Sequence, residues 1–285
     1  MKIIELKNKC YYELKLFSDT ALLDVDIILS FVLNVDRIKL IIYENLEISK
    51  EDVNKIYKLI EERKKGKPIA YIIGKKEFRK LSLCVTEDVL IPRPDTEVLC
   101  EKILEKISKF GDKRLNILEI GVGSGAISIS VLCEFKNVFI DAIDISKEAI
   151  NIAKKNSDIY DVSDRINFIE CDILSQKEFF NLKKYDIIFS NPPYIETNEI
   201  QYLKKDVLFE PNIALDGGED GLLFYRRITE ISDYLLKENG YLLYEIGYNQ
   251  LDAVINIMKN FKFVDIESFK DYQYLDRVVI GRKTK

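Results

Sequence analysis

Apolar residues recur at helical spacing in the first quarter of the chain. Two segments carry the pattern, DTALLDVDIILSFVLN and SKEDVNKIYKLIEERKKGKP. The first follows Asp19, a candidate N-cap, and the second opens with Ser49, has Asp52 three residues later and closes before Gly66. The pattern therefore predicts a small helical domain over residues 1–67.

A short extended region follows this helical part. The runs IAYIIGKKEF and LSLCVTEDVL are rich in apolar and β-branched residues, which favours a β-hairpin. The proline-spaced segment IPRPDTE comes next and predicts a loop. We therefore predict that residues 68–95 form a hairpin and linker, and that a second domain occupies residues 96–285.

In this second domain, short apolar runs alternate with helical patterns. The candidate strands are LNILEI, VFIDAI, INFIE, YDIIFS and YLLYEI, separated by segments such as SKEAINIAKKNS and DGLLFYRRITEISDYLLKENG. This alternation is typical of an open, mostly parallel α/β sheet of the Rossmann-like kind. Two more runs lie close together in KFVDIESFKDYQYLDRVVIGR, and they predict an antiparallel hairpin at one edge of the sheet.

The amino-acid composition argues against several kinds of catalytic site and binding partner. The 285 residues include no histidine, so the commonest general base and the commonest zinc ligand are missing, and we expect no metal. The five cysteines are scattered without a CxxC spacing, as in a protein of a reducing compartment. No run approaches the ~18 apolar residues of a membrane span, which predicts a cytoplasmic protein without a membrane partner. A net charge of -5 favours a protein or small-molecule substrate over a long phosphate backbone.

The first candidate strand ends in the glycine-rich turn LEIGVGSGAIS. Gly121, Gly123 and Gly125 alternate with Val122 and Ser124 before a helical stretch. Such a turn lets a ligand approach the main chain closely at a helix N-terminus. Because the alanine after this turn also completes G-x-G-x-x-G/A, the turn alone leaves open a nicotinamide cofactor, another nucleoside cofactor or a purely structural role.

Three acidic residues help to choose between these cofactors. Glu119 precedes the glycines, Asp144 ends the second strand, and Asp172 is expected to end the third. Such a rim would repel a pyrophosphate, whereas S-adenosyl-L-methionine carries a sulfonium, an ammonium and no phosphate. We expect Asp144 to accept the ribose hydroxyls, and Asp172 with the backbone near Ile173 to meet the adenine edge. The alternative for each acid is a solvated strand end or a helix cap.

The fourth strand ends in SNPPY. Pro192 and Pro193 cannot continue a strand ladder, so they either terminate the strand or hold its exit rigid. In this order, LEIGVGSGAIS, IDAIDIS and SNPPY resemble class I S-adenosylmethionine-dependent methyltransferases of the subset with Asn-Pro-Pro-Tyr. That subset methylates planar conjugated nitrogens in nucleobases or in glutamine. Asn191 and the carbonyl of Pro192 can accept the two N–H bonds of such a group, and Tyr194 can pack on its plane.

Further segments resemble one family, the release factor glutamine methyltransferases, also called HemK or PrmC. They are KPIAYIIGKKEF, LIPRPDTE, FEPNIALDGGEDGLLFYRRI and LDRVVIGR. The resemblance covers essentially the whole chain and implies a two-domain enzyme that methylates the glutamine of the Gly-Gly-Gln motif in peptide chain release factors. We expect the N-terminal helical domain to dock this substrate and the protein to be a monomer. It also implies a cofactor contact from Asn191 and roles in substrate binding for Asn191, Pro192, Pro193, Tyr194, Arg93 and Glu97. Among these, Asn191, Pro192 and Tyr194 are the expected catalytic residues.

The family pattern is broken at two places. Arg79 and Lys80 stand where relatives usually have a glycine, and Glu119 stands where many have aspartate. For Arg93 and Glu97, a role in pinning the interdomain hairpin is the alternative to substrate contact. The competing functions are a nucleobase methyltransferase, for which no basic cleft or target-recognition insertion is visible, a nicotinamide dehydrogenase and a non-catalytic binding protein.

Overall fold

The computed structural model describes residues 1–175 and 183–284. Two compact units divide the chain. The first unit comprises Met1–Lys75 together with Leu203–Phe209, and the second comprises Lys76–Tyr202 with Glu210–Lys285. The first unit is therefore discontinuous in sequence. In the described part of the chain, no helix is long and apolar enough to cross a membrane.

Five helices build the first unit: α1 (Ile3–Leu14), α2 (Ala21–Leu33), α3 (Arg37–Ile42), α4 (Lys50–Lys64) and α5 (Ile69–Ile73). The predicted N-cap of α4 is confirmed, because Ser49 Oγ accepts a hydrogen bond of 3.0 Å from the backbone N–H of Asp52. The predicted cap at Asp19 is wrong. Helix α2 begins at Ala21 after Thr20, whose hydroxyl donates to Asp24 at 3.1 Å instead of capping the helix.

A buried ion pair joins helices α2 and α4. Arg63 Nε lies 2.7 Å from Asp24 Oδ2, and only 8% and 2% of these residues is exposed. Arg63 also donates to the carbonyl of Lys67 at 3.2 Å, beyond the end of α4. The short segment Leu203–Phe209 completes the unit: a Cβ added to Gly66 would lie 3.4 Å from both Lys205 Cβ and Phe209 Cε2.

The predicted hairpin is half right. Strands β1 (Lys75–Phe78) and β2 (Leu81–Cys84) pair as expected, but IAYII forms helix α5 rather than a strand. Pro68 occupies the N-cap position of this helix, and Gly74 ends it in a left-handed conformation with φ +69°. A five-residue apolar run shows too little periodicity to separate a buried helix from a strand, so the flanking proline and glycine were the better indicators.

The second unit contains a seven-stranded sheet with the order β5-β4-β3-β6-β7-β9-β8. Its strands are β3 (Leu115–Ile120), β4 (Val138–Asp144), β5 (Ile166–Glu170), β6 (Tyr185–Ser190), β7 (Leu236–Glu245), β8 (Val264–Lys270) and β9 (Asp276–Arg282). Strands β3 to β7 pair in parallel, while β9 pairs antiparallel with both β7 and β8. The predicted Rossmann-like sheet with an antiparallel edge hairpin is confirmed.

Both faces of the sheet are covered by helices, namely α6 (Thr96–Ser108), α7 (Ala126–Glu134), α8 (Lys147–Ile159), α9 (Leu223–Leu235) and α10 (Leu251–Asn260). Successive strand residues point to opposite faces, so Ile117 and Ile187 join one apolar cluster while Leu118 and Ile188 join another. This double burial explains why the strands read as continuous apolar runs.

Candidate active site

A pocket of about 270 Å³ lies at the carboxyl ends of β3, β4 and β6. Parallel neighbouring strands end at the same edge of a sheet, and ligands of open α/β folds bind there. The pocket brings together most of the residues predicted from the sequence: Arg93, Gly121, Val122, Gly123, Ser124, Asp144, Asp172, Ile173, Asn191, Pro192 and Pro193. Gly125, Glu97 and Tyr194 are described by the structure but do not line the pocket.

The glycine-rich turn joins β3 to α7. The backbone N–H groups of Gly121 and Val122 both donate to the carbonyl of Ile143 on β4, at 2.8 and 3.0 Å. Gly125 has φ +80°, and a Cβ there would lie 2.9 Å from Ile129 Cδ1. The last glycine thus provides the left-handed conformation at the start of α7, and the preceding residues of the turn form the pocket wall.

Asp144 is the last residue of β4, the second strand of the site. Its Oδ2 accepts a hydrogen bond from Gly123 N, and its Oδ1 accepts one from Ser146 N, both at 2.9 Å. Burial raises the pKa of this carboxyl, although these backbone donors oppose the shift. Each oxygen keeps further acceptor capacity, so the group can also bind two hydroxyls of a ligand.

Glu119 lies beneath the glycine-rich turn and is 2% exposed. The hydroxyl of Ser128 donates to its carboxyl. Burial, with added repulsion from Asp144, raises the pKa of Glu119 to about 8. A cationic group bound in the pocket would lower that pKa again, so the site favours a positively charged ligand over a phosphate.

The turn after β5 forms another part of the wall. The prediction that Asp172 ends this strand is wrong, because the strand ends at Glu170, two residues earlier. Asp172 Oδ1 accepts from Leu174 N at 2.8 Å, and the carbonyl of Ile173 accepts from Arg227 Nε at 2.7 Å. These bonds hold the turn and its polar edge in a fixed orientation at the pocket.

Asn191 begins the NPPY segment after β6. Its side-chain Nδ2 donates to Thr96 Oγ1 at 3.3 Å. The far end of the segment is held by Gln250, whose Nε2 donates to the carbonyls of Tyr194 and Gly221 at 3.0 and 3.2 Å. The rigid exit predicted from the prolines is thus also fixed by hydrogen bonds at both ends.

Tyr194 differs most from its predicted place. Its ring is partly buried and packs against the apolar cluster on one face of the sheet, which includes Tyr225 and Tyr244. Burial raises its pKa to about 12, and repulsion from Glu245 adds to the shift. Tyr194 does not line the pocket, and its role of packing on the plane of the substrate amide stays a prediction.

Arg93 and Glu97 have different surroundings. Arg93 lines the pocket and forms an ion pair with Glu210, whose other carboxyl oxygen accepts from Ile91 N at 3.0 Å. Glu97 Oε1 instead accepts from the backbone N–H of Arg79 at 3.0 Å. Arg79 has φ +51°, a left-handed conformation that glycine adopts more easily, so Glu97 stabilises the hairpin turn at the position where the glycine is missing.

Sequence reasoning missed four residues that support the site: Thr96, Glu210, Glu245 and Gln250. Glu245 ends strand β7 and is 1% exposed. Glu119 was chosen as a candidate because it is an acidic residue near the end of an apolar strand. Glu245 has the same position in the run YLLYEI and could have been found in the same way. The other three carried no comparable signal, because their partners lie far away in sequence.

Comparison with known proteins shows similarity along nearly the whole chain. The family described as PrmC N-terminal domain matches residues 8–74, and the family described as methyltransferase small domain matches residues 94–219. The release factor glutamine methyltransferase of Clostridium acetobutylicum is 43% identical over 99% of this chain and 98% of its own. That of Buchnera aphidicola subsp. Schizaphis graminum is 42% identical over 91% and 92%.

A solved structure supports the same fold. The crystal structure of a methyltransferase from Pyrococcus furiosus superposes with a TM-score of 0.54 at 17% identity, covering 74% of this chain and 92% of that chain. This similarity concerns the architecture alone, whereas the sequence similarity above extends over both units. The chain therefore belongs to the release factor glutamine methyltransferase family.

Proposed function

We propose that the protein transfers a methyl group from S-adenosyl-L-methionine to the side-chain amide nitrogen of the glutamine in the Gly-Gly-Gln motif of peptide chain release factors. The observation that carries this proposal is the arrangement of Asn191 beside an acidic pocket, within a chain of this family. S-adenosyl-L-methionine would supply a methyl group bonded to a positively charged sulfur.

The residues of the pocket fit such a cofactor. We assign the ribose hydroxyls to Asp144, the adenine edge to Asp172 and Ile173, and the main-chain contacts to the glycine-rich turn. The buried carboxyl of Glu119 supports this assignment, because a nearby cation offsets the cost of ionising a group whose pKa is raised to about 8. A pyrophosphate would add repulsion in the same place.

Positioning is the main task of the protein in this reaction. An amide nitrogen donates its lone pair into the carbonyl π-system, so it is a poor nucleophile until it is held in the right orientation. We propose that Asn191 Oδ1 and the carbonyl of Pro192 accept the two N–H bonds of the glutamine amide. Both acceptors favour the positive charge that develops on nitrogen, and the methylated nitrogen then loses a proton readily, so no strong base is required.

We also propose that the first unit docks the protein substrate. Helix α3 exposes Ile38, Ile41 and Ile42, at 72%, 68% and 66%. Residues spaced i, i+3 and i+4 share one helix face, and an exposed apolar face of this kind is typical of a protein-binding surface. Ile41→Lys should raise the KM for a release factor while kcat persists; Ile159→Lys, which changes another exposed isoleucine, serves as the control.

The decisive test of the activity uses labelled cofactor. Purified protein should label a release factor, and changing the glutamine of Gly-Gly-Gln should abolish the label. Labelling of adenine oligonucleotides in place of the protein would refute the assignment. Asn191→Ala should lower kcat by about 10²–10³-fold. Asn198→Ala, at an exposed asparagine on the same loop, should leave kcat unchanged.

A further inference from the structure

A buried carboxyl stands beside the substrate-orienting asparagine. Glu245 is the last residue of β7, and Ser190, the last residue of β6, pairs with Tyr244. Glu245 and Asn191 therefore leave two neighbouring parallel strands side by side. Glu245 is 1% exposed, so its charge is not solvated by bulk water.

The partners of Glu245 are few for so buried a group. Among the described residues, Glu245 Oε2 has no hydrogen-bond partner. Arg277, a nearby cation, directs its own hydrogen bonds to Asp271 and to the carbonyl of Ile246, at 3.1–3.2 Å. A buried carboxyl with an unsatisfied oxygen lowers stability. This cost indicates that the residue serves the site rather than the fold.

Burial raises the pKa of Glu245 to about 7, and repulsion from Asp95 acts in the same direction. Hydrogen bonds from Thr96 and Asn191, together with the charge of Arg277, lower it. At pH 8 the group is therefore mainly a carboxylate, which accepts hydrogen bonds and donates none.

The ionised state of Glu245 determines which hydrogen bonds the Thr96 hydroxyl makes. A threonine hydroxyl can donate or accept, so by itself Thr96 could bind either the NH₂ group or the oxygen of the Asn191 amide. The carboxylate of Glu245 only accepts, and Thr96 contributes a hydrogen bond that lowers its pKa, so we infer that the Thr96 hydroxyl donates its proton to Glu245. The hydroxyl oxygen must then accept from Asn191, which matches the bond of 3.3 Å from Nδ2 to Oγ1.

We propose that Glu245 is a positioning residue that orients Asn191, both directly and through Thr96, so that the Nδ2 group of Asn191 is held by the protein and its Oδ1 faces the substrate amide. The inference rests on the proposed function for its consequence, because the reaction needs that oxygen as an acceptor. Without Glu245, Thr96 can donate to Oδ1, and the asparagine amide can turn by 180° to present a donor where the substrate needs an acceptor.

Kinetics at pH 8 with a release factor test the consequence. Glu245→Met should lower kcat by about 10–100-fold while the Kd for the cofactor changes less than about 2-fold, because orientation of the amide is lost and cofactor contacts are kept. Thr96→Val should lower kcat similarly, and Thr96→Ser, which keeps the hydroxyl, should retain it within about 3-fold. Thr229→Val is the matched control, since Thr229 is also buried but donates to the carbonyl of Tyr225 at 2.6 Å.

A double-mutant cycle separates this role from general damage to the fold. In an Asn191→Ala background, Glu245→Met should change kcat by less than about 2-fold, because the residue acts only through Asn191. Independent, additive losses in the two backgrounds would overturn the proposal. If Glu245→Met does not fold, the kcat values of Thr96→Val and Thr96→Ser test the proposal instead, and equal values would overturn it.

Amide NMR keeps the inference separate from the proposed substrate. The side-chain NH₂ of Asn191 should be protected from hydrogen exchange in the parent protein and in Thr96→Ser, and should lose protection in Glu245→Met and Thr96→Val. Unchanged protection in these last two variants would overturn the proposal. An inactive parent protein with the expected NMR pattern would refute the function alone.

Discussion

Gly217→Ala tests whether catalysis depends on the fixed position of the NPPY segment. Gly217 lies directly behind that segment: its N–H donates to the carbonyl of Ile195 at 2.8 Å, and its neighbour Asp216 forms a parallel bridge with Ile195. An added Cβ would lie 2.7 Å from Tyr194 Cα and 2.9 Å from Pro193 O. All of these are backbone atoms, so no side-chain rotation can relieve the clash.

The size of the effect follows from that distance. Ordinary contact with a Cβ begins at 3.4 Å, so the gap to Tyr194 Cα must open by about 0.7 Å. The segment is fixed on its far side by Gln250, which limits how the shift can be absorbed. A misplacement approaching 1 Å of a positioning group costs on the order of 10²-fold in rate. We therefore expect kcat to fall by about 30–100-fold, with a smaller change in the Kd for the cofactor.

The assay is methyl transfer to a release factor at saturating cofactor, with the cofactor Kd measured separately by calorimetry. Gly281→Ala is the matched control, because its Cβ would lie 2.5 Å from Met258 Cε, the end of a flexible side chain. That side chain can turn away, so Gly281→Ala should retain most of kcat. A Gly217→Ala enzyme with the kcat of the parent would refute the claim that rigid placement of the segment drives the reaction.

Three further predictions concern stability. Glu119→Gln should stabilise the free protein more at pH 9 than at pH 5.5. The pKa of Glu119 is raised to about 8, so the stability that its carboxyl contributes is complete below the ordinary pKa of the group and is lost as pH rises through 8. Urea unfolding at the two pH values should show a difference of about 3 kcal/mol in this contribution. Arg63→Met should destabilise the first unit by about 3 kcal/mol because Asp24 stays buried and unpaired, and adding Asp24→Leu should recover most of the loss in urea unfolding. Ser49→Ala should cost about 1 kcal/mol through loss of the α4 cap, and equal amide exchange of α4 in both proteins would contradict this.

The sheet and most of the pocket were predictable from sequence because their signals are local. Each strand is a short apolar run, and parallel strands bring the residues after LNILEI, VFIDAI and YDIIFS to one edge. Once that edge is recognised, Gly121, Asp144 and Asn191 must lie near one another. Local pattern and sheet topology are sufficient for this step.

The supporting contacts could not be predicted because they join residues distant in the chain. Glu210 holds Ile91, which is 119 residues away, and Asn191 reaches Thr96, which is 95 residues away. No spacing rule connects such pairs. The packing of Tyr194 against the apolar cluster could not be predicted for a related reason: an aromatic residue next to a motif can contact the ligand or the core, and the sequence pattern does not decide between them.

The discontinuity of the first unit has a consequence for the order of folding during synthesis. Its five helices leave the ribosome first, but Leu203–Phe209 belongs to the same unit and is translated after β6 and the NPPY segment. N-terminal parts of a chain begin to fold before later parts are synthesised. The five helices therefore cannot complete the packing of their unit until about 130 further residues have been translated. A nascent chain stalled before Leu203 should therefore resist proteolysis in its helices less well than one stalled after Phe209.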